Sequence, residues 1–521
     1  MPIKRLSNGD VCNGWVIGAF SLAFSLLLTA APQSALSTDT VVHVPGPFIE
    51  RVSPPVLRRG QTTRIELFGR ELDGAKDLWT STPGTELKAQ LVGENGEQTA
   101  AFDVDVPADA PLGLYGLRVA TRSGLSNVHL FLIDELPIHA RAPRLPVSEP
   151  AASGVARSGV SAASPSQRMN VSLPAAIYGT CHAATVDGYQ IEVEAGQSVT
   201  FEVVGNRLGK DYDPLVTIRD ASGRILVERD NDSGLFFDCR FQHTFADGGT
   251  YHVDVRDSRF AGDPTWQYVL RMGNFPASRS ALPSSVTPGK LSAFQLIRDG
   301  ASNAVTLPVE TPVGWLYREV RLAPDLPATW ISLHADHRDG RLESEPNDER
   351  EMATEVAFPV TTVPADMPTT IPTTLPTTLH GVLDKVGDRD WFRFELKQGK
   401  SMTFRGEARA LGSPADLELV LLNSEGKEVR RVDDVPVRVG LNSWFEDARF
   451  DFYAAKDGPH YLCVRDMSSD GGPDFSYRVD VTPNVPKIQL TSTVARVSLP
   501  KENFQPIPIQ LTRSHFAGPV E

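Results

Sequence analysis

The sequence predicts an all-β fold: a tandem of antiparallel β-sandwiches, immunoglobulin-like and jelly-roll-like, joined by linkers. Three observations predict it. Short runs alternate apolar and polar residues with a period of two, as in Arg64-Ile65-Glu66-Leu67-Phe68 and Ser198-Val199-Thr200-Phe201-Glu202-Val203-Val204. The 41 glycines and 40 prolines fall at turns between these runs, and no segment sustains a helical period. Part of the chain repeats itself at fixed spacing.

The 521 residues suit roughly three to five domains. A net charge of −14 argues against a nucleic-acid partner, which needs a basic face, and is compatible with cation binding or with solubility. The N-terminus reads as a signal peptide over residues 1–37. Lys4 and Arg5 precede an apolar stretch from Val16 to Ala30, and Ala35-Leu36-Ser37 fits a cleavage site; the other reading is an N-terminal membrane anchor. No later stretch approaches the ~20 apolar residues of a spanning helix, so the expected location is secreted, periplasmic or at the cell surface.

Residues 42–136 have the rhythm of a small sandwich, with turns at Gly69, Asp73-Gly74, Pro83-Gly84 and Pro107. Residues 137–165, rich in Pro, Ala and Ser, read as a flexible linker. Two copies of one fold follow, at 166–275 and 341–482. Asp187, Gly196, Leu208-Gly209, Asp213 and Gly223 of the first recur as Asp390, Gly399, Leu411-Gly412, Asp416 and Gly426 of the second. Val255-Arg256-Asp257 and Tyr268 recur as Val464-Arg465-Asp466 and Tyr477, and the second copy carries an insertion between Gly426 and Asp447. Between the copies, 276–340 reads as a reduced immunoglobulin-like module or a linker. Inside the second copy the Thr/Pro tract 358–379 has too few large apolar groups to pack and is expected to be disordered. Residues 483–521 read as the start of a further β domain that continues beyond Glu521.

Residues 42–136, through Arg59-Gly60, Phe68-Gly69-Arg70-Glu71-Leu72 and Gly124-Leu125-Ser126-Asn127, resemble the IPT/TIG immunoglobulin-like modules of bacterial surface proteins. The second copy resembles the bacterial pre-peptidase C-terminal (PPC) domain. The resemblance rests on Glu343-Ser344-Glu345-Pro346-Asn347-Asp348, Gly387-Asp388-Arg389-Asp390-Trp391-Phe392, Leu411-Gly412-Ser413 and Asp457-Gly458-Pro459-His460-Tyr461. The first copy is similar to a divergent member that lacks the acidic opening. Such domains sit beside secreted proteases and are not themselves catalytic. The related collagen-binding domain of bacterial collagenases is a sandwich that binds calcium. By that resemblance the ligands are Glu343, Glu345, Asn347 and Asp348, joined by Asp388 and Asp390.

The residue types fit that chemistry. Ca²⁺ takes six to eight oxygens at ~2.3–2.6 Å, and folding the opening back onto the first strand gathers like charges that a cation would offset. The plainer reading is a solvated acidic turn. The first copy keeps only Asp187, so no site is expected there. Asp230-Asn231-Asp232 and Asp433-Asp434 read as turns. Cys181 and Cys239 are expected on strands, as a disulfide or as two buried thiols, and Cys463 as a buried free thiol. No His-Glu-x-x-His or Gly-x-Ser-x-Gly motif occurs, and His334-Ala335-Asp336-His337 reads as exposed linker.

These readings imply a non-catalytic, exported binding or scaffolding protein, stabilised by Ca²⁺. Its expected partner is an extracellular polysaccharide, a matrix protein or a cell-surface protein, with adhesion as its role. The alternatives are an accessory region of a secreted peptidase whose catalytic domain lies outside this chain, and a hydrolase with an unrecognised site.

Overall fold

The computed structural model describes residues 46–141 and 168–514, apart from 233, 279, 297–301, 307–313, 322, 359–375, 440–441, 485–486 and 493–506. The signal-peptide reading, linker residues 142–165 and most of the Thr/Pro tract therefore lie outside the described residues. Those described are strands and turns, with three short 3₁₀ turns and no α-helix; among them no helix is long and apolar enough to cross a membrane.

The N-terminal module is a two-sheet sandwich. One sheet runs Phe48–Ser53, Gln61–Arg70, Thr99–Val106, Lys88–Val92; the other runs Val56–Arg58, His129–Asp134, Gly113–Thr121, Asp77–Thr80. The period-two pattern explains the packing. Ile65 and Leu67 turn inward beside Phe102 and Val104, while Glu66 stays at the surface.

Both repeats are jelly rolls with one topology. In the first, one sheet is ordered Ile138–Ala140, Ala175–Thr180, Gln267–Gly273, Ser198–Val204, Cys239–Thr244. Its partner is Arg168–Val171, Asp187–Val193, Gly249–Asp257, Pro214–Asp220, Ile225–Arg229. In the second, the same order reads Asp339–Leu342, Thr377–Val382, Ser476–Pro483, Ser401–Glu407, Arg449–Tyr453 against Thr354–Val356, Asp390–Leu396, Gly458–Asp466, Leu417–Leu422, Glu428–Val432. The insertion in the second copy is a hairpin, Val435–Val439 with Asn442–Glu446. Register confirms the equivalence: Asp187 pairs with Val255 as Asp390 pairs with Val464, and Tyr268 with Gly179 as Tyr477 with Gly381.

Three boundaries move. Ile138–Ala140, expected in the linker, adds a parallel strand to the first repeat, and Asp339–Leu342 does the same in the second. Thr377–Leu379, expected in the disordered tract, lies in a core strand, because Leu379 is fully buried and Thr378 pairs with Asp480.

The module between the repeats is a reduced copy of the N-terminal one. Its sheets, Ala281–Leu282, Leu291–Leu296, Ser302–Thr306 and Ser285–Val286, Thr329–Ala335, Gly314–Val320, keep the pairing order of the larger module without its outer strands. In both, a proline and a left-handed glycine precede the second strand of the first sheet at the same spacing: Pro54, Gly60 and Leu67 against Pro283, Gly289 and Leu296. The chain thus repeats a two-module unit, an immunoglobulin-like module followed by a jelly roll. Lys487–Ser492 and Ile509–Ser514 form a two-stranded hairpin.

Each jelly roll is locked to the module before it by buried charge. Arg271, fully buried, donates to Asp134 of the N-terminal module (2.6 Å) and to Glu202 of its own repeat. It also donates to the carbonyl of Ala328 (2.9 Å) in the intervening module. Glu202 is held in turn by Arg240 (2.7 Å) and Arg207 (2.9 Å), and Trp330 lies 4.6 Å under the Arg271 guanidinium. One continuous apolar cluster joins these three modules. The second repeat uses Arg478, which reaches Asp336 at 3.0 Å. Asp336 also pairs with Arg338 (3.0 Å) and accepts from His334 (2.8 Å). The expectation of an exposed linker at His334-Ala335-Asp336-His337 is therefore corrected: Asp336 is buried at a junction, because Arg478 supplies the charge that lets a carboxylate leave water.

Candidate metal centre

The acidic opening of the second repeat forms a strap from sheet to sheet. It leaves Asp339–Leu342 in one sheet, passes the 3₁₀ turn Arg350–Met352, and enters the other at Thr354–Val356. Glu343, the first strap residue, is anchored by its N–H to the His380 carbonyl (2.9 Å). Asp390 opens the strand beside it, and Trp391 N–H donates to the Asn347 carbonyl (3.1 Å), drawing the strap down onto that strand.

Glu343, Glu345 and Asp390 each bring one carboxylate oxygen to within 4.8 Å of the others. Oxygens that share a calcium at ~2.3–2.6 Å cannot lie more than about 5 Å apart, so the spacing fits. Asn347 is fully buried, and its amide nitrogen donates to Asp390 Oδ1 (3.2 Å) and to Glu345 Oε1 (3.1 Å), tying the strap to the strand beneath. Asp390 is fully buried, and its Oδ2 has no hydrogen-bond partner. Burial, then the neighbouring Glu343 carboxylate, pushes its pKa well above the carboxylate range, and burial raises that of Glu343. Glu343 and Asp390, this close and withdrawn from water, cannot both ionise without compensation.

The other two expected ligands are drawn elsewhere. Asp348 pairs with Lys385 Nζ at 3.0 Å, and Asp388 lies 3.5 Å from the same nitrogen. Asp388 also accepts the N–H groups of Asp384 (2.6 Å) and Arg389 (2.9 Å). Lysine already offsets this second pair. Of the six residues expected, the structure brings Glu343, Glu345 and Asp390 together with Asn347 beside them; sequence reasoning missed Tyr477 and Gly381. The Tyr477 hydroxyl donates to Glu343 Oε2 (3.1 Å), and Val382 N–H donates to Oε1 (2.8 Å). A Cβ on Gly381 would stand 2.3 Å from Glu343 Oε2, so only glycine leaves room for that carboxylate. The recurrence of Tyr268 as Tyr477 was the available signal.

The disulfide expectation is corrected. Cys181, Cys239 and Cys463 are buried, and none of them forms a disulfide. Cys181 follows Ala175–Thr180 and Cys239 opens Cys239–Thr244, with two strands between them in the sheet. Three strand spacings make roughly 14 Å, far beyond the ~4.4–6.8 Å between the Cα atoms of a bridge. The two Asx segments behave as structure: Asp232 accepts the Arg240 N–H (2.8 Å) and Asp434 pairs with Arg409 (3.1 Å).

No family model matches the chain, and no curated protein matches it. Among solved structures, the chain is similar to the pre-peptidase C-terminal domain of a collagenase from Bacillus anthracis, at 15% identity over 21% of this chain and 98% of that one, with a TM-score of 0.17. It is similar to PliG of Aeromonas hydrophila, a periplasmic inhibitor of g-type lysozyme, at 11% identity over 28% of this chain and 98% of that one, with a TM-score of 0.18. The Bacteroides ovatus glucan-utilisation protein SGBP-B, solved with a mixed-linkage heptasaccharide, matches at 10% identity over 82% of this chain and 72% of that one, with a TM-score of 0.14. Identities and scores this low assign neither a family nor a ligand; the all-β sandwich architecture stands on the strands themselves.

Proposed function

We propose that this chain is an exported, non-catalytic binding and scaffolding protein in which Ca²⁺ pins the strap of the second repeat. One observation carries the calcium reading: a fully buried Asp390 carboxylate with an unpartnered oxygen, gathered with the carboxylates of Glu343 and Glu345. The three residues would supply a hard-oxygen set, and water or backbone carbonyls would complete the shell. Bound to the native state alone, calcium would stabilise it by about 2.7 kcal/mol at a hundred times its Kd. The locked junctions support a spacer role, since modules that share buried ion pairs and one apolar cluster hold a fixed spacing. The proposed partner is an extracellular polysaccharide, a matrix protein or a cell-surface protein, with the chain secreted, periplasmic or surface-bound.

Calorimetric titration of Ca²⁺ into the chelator-treated full chain tests the reading. Saturable binding near one equivalent, lost in Glu345→Gln/Asp390→Asn, is expected. No binding at millimolar Ca²⁺ would reduce the strap to an acidic turn, and turnover in a broad hydrolase screen would sink the non-catalytic reading.

A further inference from the structure

We infer that Arg141 is the built-in cation of the first repeat, standing where the second repeat takes calcium, so that only the second of the two jelly rolls answers to the metal. The argument begins from register. Ala140 pairs with Tyr178 as Leu342 pairs with His380, and the next residue in each strap, Arg141 or Glu343, donates its N–H to that same partner's carbonyl (2.8 and 2.9 Å). Arg141 is thus the positional equivalent of Glu343, with the opposite charge.

The rest of the corner is kept. Asp187 stands in the place of Asp390, Tyr268 in the place of Tyr477, and Gly179 in the place of Gly381. Arg141 Nε lies 3.3 Å from Asp187 Oδ1, and both side chains are nearly buried. The Tyr268 hydroxyl donates to Asp187 Oδ2 at 2.6 Å, and its oxygen lies 2.6 Å from that of Tyr189, whose ring sits 5.5 Å from the guanidinium carbon. Among the described residues Asp187 belongs to no group of three metal-ligating side chains, whereas Asp390 does, with Glu343 and Glu345. A buried aspartate at this corner demands positive charge. One repeat carries that charge on its own strap, and the other leaves the corner anionic.

This inference rests on the calcium reading only for the second repeat, and the test separates the two. Hydrogen exchange is followed at 187–193 and at 390–396 in the full chain, with Ca²⁺ and with chelator, for wild type, Arg141→Met, Arg141→Lys and Glu343→Arg. In wild type, Ca²⁺ should slow exchange at 390–396 and leave 187–193 unchanged. Arg141→Met should speed exchange at 187–193 with or without Ca²⁺, and Arg141→Lys should restore part of the protection. Glu343→Arg should abolish calcium binding while protecting 390–396 in chelator. Protection of 187–193 by Ca²⁺ in wild type, or unchanged exchange there in Arg141→Met, would overturn the inference. If wild type binds no Ca²⁺, the metal reading fails, and Arg141 is judged by its own two variants.

Discussion

Arg271→Met tests the junction between the first three modules most directly. The side chain is fully buried and its donors are spent on three modules: Asp134 of the first, Glu202 of its own, Ala328 and Thr329 of the third. Methionine fills much of the volume but removes the charge. Glu202 would lose little, since Arg240 and Arg207 still hold it. Asp134 would keep only the N–H groups of Glu135 (2.8 Å) and Leu136 (3.3 Å), leaving a buried carboxylate without its cation. Breaking a buried pair in this way costs roughly 3–5 kcal/mol, against a total of about 5–15 kcal/mol for a domain. Urea unfolding of the full chain should therefore show an earlier midpoint, with hydrogen exchange rising at 129–134 and 329–335. Asp134→Leu/Arg271→Met should recover most of the loss, because an apolar replacement of the whole pair is often neutral or stabilising. A single variant within about 1 kcal/mol of wild type, or a double variant no better than the single, would refute the junction argument.

Three other outcomes are expected. In chelator, the second repeat should lose stability as pH rises from about 5 to 8. Its Asp390 and Glu343 are raised above their unfolded pKa values, so the folded state binds more protons, and stability falls wherever that holds. Thermal melts should show the slope, Asp390→Asn should flatten it, and a rise over that range in chelator would contradict it. Glu345→Gln should weaken calcium binding by about tenfold or more, since charge count tunes such sites. Asp348→Asn should do much less, because Lys385 already occupies Asp348, and equal losses in a titration would put Asp348 in the shell. Cys181, Cys239 and Cys463 should resist a thiol reagent in the native state and react after denaturation without reductant, and protection that only reductant removes would restore the disulfide.

The sequence revealed what depends on local pattern. Alternation of apolar residues marked the strands, and Asp187 with Asp390, or Tyr268 with Tyr477, marked the repeat because these positions are fixed by ladder register. The clustering of Glu343, Glu345 and Asp390 was legible because one short strap carries two of them and the third opens the strand beneath. The failures share one cause: spacing along the chain assigns a residue to a strand, but not that strand to a place in the sheet. Cys239 opens a strand as expected and Cys181 falls just past the end of one, and the jelly roll inserts two strands between them. Asp336 sits in a polar stretch that reads as solvent-facing, and its burial depends in part on Arg478, 142 residues later, which joins Arg338 and His334 around it. Ile138-His139-Ala140 is too short to display alternation, so its pairing with Ala176-Ile177-Tyr178 left no trace in the sequence.

Junction and metal corner are parts of one segment. Asp336 and Arg338, held by Arg478 and Asp480, stand just before the strand Asp339–Leu342, and Glu343 stands just after it. That strand joins its sheet through four paired residues along one parallel edge, too few to hold it firmly without support at both ends. The ion pairs fix its start and depend on no ligand. Its end closes beside the carboxylates of Glu343, Glu345 and Asp390, where the calcium proposed above would offset their charge. In the first repeat the strand Ile138–Ala140 is held by Asp134 on one side and by the Arg141–Asp187 pair on the other, with no ligand needed. At this corner the two jelly rolls differ in charge, and on the calcium reading proposed above any response begins at the strap between Glu343 and Thr354, not at the junctions that set the spacing of the modules.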